Sequence, residues 1–218
     1  MQNLTKIGGY AALGCGLTYV VGLALYLTVL APLGSGDYHA KIAFAADNHT
    51  VLTIWNLTIY VLNAILLAVL VVALWDRFRP ASPALAQVTL TFGTIWATQV
   101  LAAGMVANVG LKEALSVFSS DPERAANLYQ IFLTVENGLG GGNEIAGGVW
   151  LLTLSIAGFM TKRVSKGLSI LGAVSGVSGL ASGIPALSDS LGLIFGLGSI
   201  VWFFWAGVAL LRMGKEQA

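Results

Sequence analysis

The chain has 218 residues, of which 56% are hydrophobic, only 10% are charged and 27 are glycine, and its formal net charge is +1. A soluble domain has about 25% charged residues and less than half apolar ones. This composition therefore excludes a disordered chain, a nucleic-acid-binding protein and an ordinary soluble enzyme. A single cysteine excludes a disulfide scaffold and a multi-cysteine zinc or iron–sulfur site. We predict one transmembrane domain, residues 1–218.

Uncharged apolar segments recur along the chain at lengths that suit membrane crossing. A helix needs about 20 mostly apolar residues to cross the hydrocarbon core, and open strands cannot satisfy their backbone groups in lipid. Five segments reach that length without Lys, Arg, Asp or Glu: 7–33, 51–75, 84–111, 167–187 and 191–211. A sixth segment, 145–161, is slightly short and becomes the fourth helix. The predicted fold is an all-α polytopic bundle of six transmembrane helices.

The basic residues between these segments predict the orientation. With six spans, the side that carries both termini receives eight of the 11 basic residues: Lys6, Arg77, Arg79, Lys162, Arg163, Lys166, Arg212 and Lys215. The positive-inside rule makes that side cytoplasmic. We therefore predict a multi-pass protein of the bacterial inner membrane with cytoplasmic N- and C-termini.

The stretch from Pro122 to the basic turn at Lys162 allows two interpretations. Asp121, Pro122 and Glu123 form a helix-start pattern. Splitting the following 40 residues into two spans would move Lys162 and Arg163 to the outside, against the charge pattern. We predict one long or glycine-kinked fourth helix with an extracytoplasmic extension. Its first half stands above the membrane or lies on it.

Small and aromatic residues predict how the last helices pack. Glycines on one face let membrane helices approach closely, and the fifth span has such a stripe: Gly172, Gly176, Gly179 and Gly183. The short link that follows makes the fifth and sixth spans antiparallel neighbours. An aromatic run in the sixth span is expected to face lipid or a neighbour: Trp202, Phe203, Phe204 and Trp205.

Polar side chains inside the spans define a candidate ligand-binding cluster near the outer face. A rise of about 1.5 Å per residue gives their relative heights. Spacing places Asn56, Tyr60 and Asn63 on one helix face. The full cluster is Asn56, Tyr60, Asn63, Gln99, Glu136, Asn143 and Glu144. An acid at membrane depth predicts a functional site. The alternative is that these groups only satisfy one another.

A divalent metal site is a sharper alternative. Zinc accepts imidazole and carboxylate ligands, and four such residues lie towards the outer face: His39, Asp47, His49 and Glu136. The two histidines, however, lie in a segment that reads mostly as loop and lack the helical spacing of a metalloprotease motif. No predicted span contains a histidine or a lysine, which excludes a transmembrane bis-histidine haem and a lysine-bound retinal. No cofactor can be named from the sequence.

The arrangement resembles a poorly characterised bacterial family of six-span integral membrane proteins, defined by a domain of unknown function. The resemblance rests on the opening Ile7-Gly8-Gly9-Tyr10, the acidic loop before the second span and the basic turn Lys162-Arg163 before a Gly/Ser-rich span. It covers most of the chain. The family brings no catalytic residues, so the resemblance implies a fold and no activity.

Three classes of function remain open. The first, which the sequence favours, is an accessory or scaffold subunit of a membrane complex. The second is a small-molecule or ion binding or transport protein that uses the outer polar cluster. The third, which ranks last, is a membrane enzyme with an outer metal or acid–base site; Ser–His–acid catalysis lacks a nucleophile-elbow motif. The implied partners are the lipid bilayer and other membrane proteins, without nucleic acid, and the oligomeric state is open.

Overall fold

The computed structural model describes residues 2–141 and 144–216. Helix accounts for 89% of the chain, and the described residues contain no strand. The α-helices are α1 Gln2–Leu27, α2 Tyr38–Asp47, α3 His49–Asn56, α4 Asn63–Phe78, α5 Pro83–Phe118, α6 Pro122–Glu136, α7 Ile145–Thr161, α8 Lys166–Ala181 and α9 Ser188–Glu216. The predicted all-α class is therefore confirmed.

Several helices join into runs of membrane-crossing length. A π-helical turn, Leu57–Leu62, joins α3 to α4. Five runs are long and apolar enough to cross a membrane: Asn3–Leu27, His49–Phe78, Pro83–Phe118, Pro122–Thr161 and Pro185–Gly214. The predicted span 167–187 is shorter in the structure, because α8 has 16 residues and a 3-10 turn follows it. These runs indicate a membrane protein.

Consecutive runs pack antiparallel and close into a ring. Gly8 of α1 lies against Ala73, while Gly22 near the other end of α1 lies against Ile59, so the α3–α4 run descends beside α1. The same reversal relates α4 to α5, α5 to the α6–α7 run, α7 to α8 and α8 to α9. Because α9 also packs along α1, the ring is closed. We call the end that holds both chain termini the terminal end.

Glycines bring the backbones of α7 and α8 into contact. A Cβ on Gly176 would lie 2.7 Å from Leu152 N and 2.8 Å from Gly148 O, and one on Gly148 would lie 2.6 Å from Leu180 N. Such distances leave no room for a side chain. The predicted glycine stripe therefore forms a helix interface, mainly with α7, and the predicted antiparallel pairing of α8 with α9 is also present.

Aromatic rings fill the centre of the ring. Trp150 lies 5.5 Å from both Trp96 and Trp202, measured between ring centroids, and Trp202 lies 5.8 Å from Phe203. Trp202 and Phe203 are buried, whereas Trp205 is exposed. Of the two expected surroundings, lipid or a neighbour, Trp202 and Phe203 have a neighbour, because both pack against Trp150 of α7. The run covers a full helical turn, so its members cannot all share one face.

Short helices form a cap at the end opposite the termini. α2 and α6 pack against the last part of α5 around a second apolar core: Leu30, Ile42, Ala45, Leu52, Leu111, Ala114, Ala125, Ala126, Tyr129 and Phe132. The segment of α2 was expected to be mostly loop, which was wrong. Asp37 starts this helix by accepting a hydrogen bond from Ala40 N at 2.8 Å, and the alanine-rich sequence after it favours helix.

A kink interrupts the run from α6 to α7. α6 ends at Glu136, a π-helical turn covers Asn137–Gly141, and Gly140 has φ 127°, which a residue with a side chain rarely adopts. The kinked form of the two predicted alternatives is therefore the one present. α6 packs along α5 in the cap and does not lie flat beside the ring.

Candidate functional site

The predicted polar stripe on the α3–α4 run, Asn56, Tyr60 and Asn63, does not face a single neighbouring helix. Asn56 Nδ2 donates to Asn108 Oδ1 of α5 at 3.1 Å. Asn63, which is fully buried, donates instead to Thr18 Oγ1 of α1 at 2.7 Å. The π-helical turn between these two residues winds more widely than an α-helix. The single face expected from regular α-helical spacing is therefore lost.

Tyr60 and Glu136 form the central polar contact of the site. The Tyr60 hydroxyl donates to Glu136 Oε1 across 76 positions of sequence. The Glu136 side chain is only 7% exposed. Two members of the predicted cluster are therefore in contact: Tyr60 on the π-helical turn and Glu136 at the last position of α6.

A first cavity lies between the cap and the ring, and we call it the cap cavity. Its volume is about 360 Å³. Glu136 and Lys41 bring opposite charges to its walls, and its other polar side chains include Tyr38, Asn56 and Tyr60. Lys41 Nζ lies 5.5 Å from the centre of the Tyr38 ring, a cation–π distance. The cap cavity is therefore a mixed polar and aromatic space.

A second cavity opens between α1 and α9, beside the kink, and we call it the ring cavity. Its volume is about 300 Å³. Most of its wall is apolar or glycine, from α1, α5 and α9. Its side chains with polar atoms are Tyr19, Tyr26, Trp55, Tyr60, Trp96, Glu144 and Ser199. Glu144 is the carboxylate among them. Ligand pockets have this character, with apolar walls and a few polar groups.

Three aromatic side chains line both cavities and separate them. Tyr26, Trp55 and Tyr60 belong to both walls. Tyr26 and Trp55 stack with ring centroids 6.2 Å apart, and Trp55 meets Tyr60 edge-on at 6.3 Å. Trp55 Nε1 donates to Gly22 O at 2.9 Å, which fixes the indole against α1. We call Tyr26, Trp55 and Tyr60 the aromatic wall.

Comparison with known families gives one finding. The model of the family described as "Domain of unknown function (DUF4386)" matches residues 9–214. The chain belongs to this family. The resemblance noted from the sequence is therefore confirmed over nearly the whole chain. No curated protein and no solved structure gives a significant match.

The DUF4386 match assigns no activity, so the remaining predicted residues rest on geometry alone. Glu144 caps α7, lines the ring cavity and donates its backbone N–H to Ser182 Oγ at 3.3 Å. Gln99 is half-buried on α5 and is not in the wall of either cavity. Asn143 lies outside the described residues.

The predicted metal ligands do not converge. His39 lies on α2, Asp47 ends α2 and His49 begins α3, and all three side chains are exposed, whereas Glu136 is buried. His49 Nδ1 is 3.1 Å from Ala46 O, a contact within its own turn. In residues 2–141 and 144–216, no three His, Cys, Asp or Glu side chains are grouped to hold a metal ion.

Sequence reasoning missed Ser199, which the structure places in the wall of the ring cavity. Ser199 is 1% exposed, and its Oγ has no hydrogen-bond partner among the described residues. Ser155 and Ser182, by contrast, donate to Leu151 O and Gly179 O of their own helices at 2.7 Å. The sequence alone does not indicate whether a serine inside an apolar helix bonds to its own backbone or has an unpaired hydroxyl.

Proposed function

We propose that the protein binds a small, mostly apolar organic molecule with one cationic group in the ring cavity. A cavity of about 300 Å³ is at the lower end of the range for ligand sites. The Glu144 carboxyl group in the wall would balance a bound cation when it is ionised, and aromatic faces attract cations as well. This is the second of the three classes that the sequence left open.

The observation that carries the proposal is the Ser199 hydroxyl beside the ring cavity, which has no hydrogen-bond partner in the part of the chain that the structure describes. A buried polar group without a partner costs about 1–3 kcal/mol, and a membrane helix normally avoids this cost by bonding the hydroxyl to its own backbone. A ligand with a polar head would supply the missing partner.

The cap cavity offers a route to the ring cavity. The aromatic wall is common to both cavities, so a movement of these rings would join them. Tyr60 is held in the wall by its hydrogen bond to Glu136. We infer that a cationic ligand first competes for Glu136 in the cap cavity. Loss of that bond then frees Tyr60 and opens the wall.

We further propose six membrane crossings, with the terminal end in the bacterial cytoplasm. α8 extends along all of α7, because Gly158 lies against Ser169 at one end and Glu144 bonds to Ser182 at the other. α8 therefore covers the same membrane depth as α7 despite its 16 residues. Eight of the 11 basic residues are near the terminal end in this arrangement, as the positive-inside rule requires.

Cysteine labelling of intact cells tests this topology. The native Cys15 is fully buried. A Cys15→Ser background replaces it, so that each introduced cysteine is the single thiol of the chain. With a membrane-impermeant maleimide, we expect Glu123→Cys to react in intact cells, because Glu123 is exposed at the start of α6. Lys162→Cys should react only after the membrane is permeabilised. Labelling of position 162 in intact cells would refute the orientation.

Binding of matched small molecules tests the site. Benzyltrimethylammonium and neopentylbenzene have the same shape and differ in one charge. We expect the purified protein to bind the cation about tenfold or more tightly, because opposite charges about 4 Å apart attract by about 4 kcal/mol at an effective dielectric constant of about 20, and a tenfold preference needs about 1.4 kcal/mol. Glu144→Gln should remove this preference while retaining neopentylbenzene. Isothermal calorimetry in detergent measures both affinities.

Glu123→Gln is the matched control, because it makes the same change at an exposed position in the cap. It should keep the preference for the cation. Equal affinity of the unaltered protein for both molecules would refute a cation site. Failure of both molecules to bind, with another membrane protein purifying alongside, would favour the accessory class instead.

A further inference from the structure

A basic pocket opens at the terminal end of the ring, between α4, α9 and the turn that joins α7 to α8. Its volume is about 650 Å³. Four cationic side chains line it, and no acidic side chain does: Arg77, Lys162, Arg163 and Arg212. In the described part of the chain, the one ion pair joins Arg79 to Asp76 at 3.2 Å and uses none of these four. None of these four side chains is therefore paired with an acidic group that the structure describes.

Backbone hydrogen bonds hold two of these arginines in place. Arg77 Nη2 donates to Arg163 O at 2.7 Å, and Arg163 Nη1 donates to Arg77 O at 3.0 Å. Arg77 Nη2 also lies 2.8 Å from Met213 Sδ. This reciprocal pair keeps two like charges side by side, which Coulomb repulsion opposes. An anion that binds both guanidinium groups would convert that repulsion into attraction.

The backbone at Lys162 is a second, independent observation. Lys162 ends α7 with φ 54°, the left-handed conformation, and it is the non-glycine residue with positive φ in the described chain. Glycine is the usual residue at such a helix end, and this sequence has 27 glycines. A lysine here accepts backbone strain and places a cation at the pocket, which points to a functional demand for charge.

We propose that this pocket binds the phosphate of an anionic phospholipid headgroup. The apolar part of the pocket identifies a lipid and not a soluble anion. Trp205 and Val208 line it and are 43% and 41% exposed, so the wall continues onto the outer surface of α9. An acyl chain would lie along that surface while the phosphate bonds to the guanidinium groups. Basic pockets between transmembrane helices bind such headgroups.

Native mass spectrometry of the detergent-solubilised protein tests this site, with phosphatidylglycerol and phosphatidylcholine titrated separately. We expect phosphatidylglycerol to bind at least tenfold more tightly. Each basic residue at an anionic surface contributes about fivefold to affinity. Lys162→Asn combined with Arg212→Gln should therefore weaken phosphatidylglycerol binding by about 25-fold. Neither side chain forms a hydrogen bond to a described residue, and asparagine tolerates the left-handed conformation.

The control variant combines Lys112→Gln with Arg124→Gln, which removes two exposed cations at the cap. It should bind phosphatidylglycerol like the unaltered protein. Equal binding of the two lipids, or an equal loss in both double variants, would refute the site. Glycerol phosphate that binds as tightly as phosphatidylglycerol would refute a lipid and assign the pocket to a soluble anion. None of these outcomes depends on the ring cavity.

Discussion

We expect Gly176→Ala to destabilise the protein by about 1–3 kcal/mol, the usual cost of added volume in a packed interior. The new methyl group would meet backbone atoms of α7, at 2.7 Å from Leu152 N and 2.8 Å from Gly148 O. Backbone cannot rotate away as a flexible side chain can, so α7 and α8 must separate. The free energy of unfolding in mixed micelles, followed by tryptophan fluorescence, measures the effect.

Gly196→Ala is the matched control for this change. Both glycines lie inside helices, where alanine is favoured over glycine by about 1 kcal/mol. A Cβ at Gly196 has no atom within 4 Å, whereas one at Gly176 meets three backbone atoms. Gly196→Ala should therefore be neutral or stabilising. If the two variants have the same free energy of unfolding, the α7–α8 contact does not depend on glycine.

Helices bounded by charge were predictable from the sequence. The predicted segment 145–161 coincides with α7, Ile145–Thr161. Its bounds were predictable because Glu144 and Lys162 flank an uncharged apolar run. α2 was missed because an alanine-rich helix of ten residues in the cap has no long apolar run. Its sequence signal is the N-cap Asp37, which marks the start of a helix but not a membrane crossing.

The members of the candidate site were partly predictable, but their pairing was not. Tyr60 and Glu136 were both on the predicted list, because polar groups stand out in apolar helices. Their contact depends on the π-helical turn Leu57–Leu62, which sequence periodicity does not detect. The turn changes the direction of each side chain, so Asn56 and Asn63 reach different helices.

The kink at Gly140 explains why two glutamates of one run serve two cavities. Glu136 and Glu144 are eight residues apart, about 12 Å along a regular helix. Gly140 breaks the regular winding between them with φ 127°. Glu136 then lines the cap cavity and Glu144 lines the ring cavity. A residue with a side chain at position 140 would disfavour this arrangement through backbone strain.

Filling the ring cavity gives the prediction with the largest effect on binding. Gly196 lies in the cavity wall, and a Cβ there enters open space. In Gly196→Leu, we expect the side chain to extend from this free Cβ position into the cavity. We expect benzyltrimethylammonium and neopentylbenzene both to bind at least tenfold more weakly, while the free energy of unfolding stays the same or rises. Calorimetry and unfolding in the same detergent measure the two quantities.

Gly196→Ala again serves as the control, because one methyl group leaves most of a cavity of about 300 Å³ empty. It should bind both molecules within about twofold of the unaltered protein. The two variants distinguish the shape of the cavity from its charge. Gly196→Leu should weaken binding of both molecules, whereas Glu144→Gln should weaken binding of the cation alone. If Gly196→Leu binds both molecules normally, they occupy some other part of the protein and the ring cavity is not the ligand site.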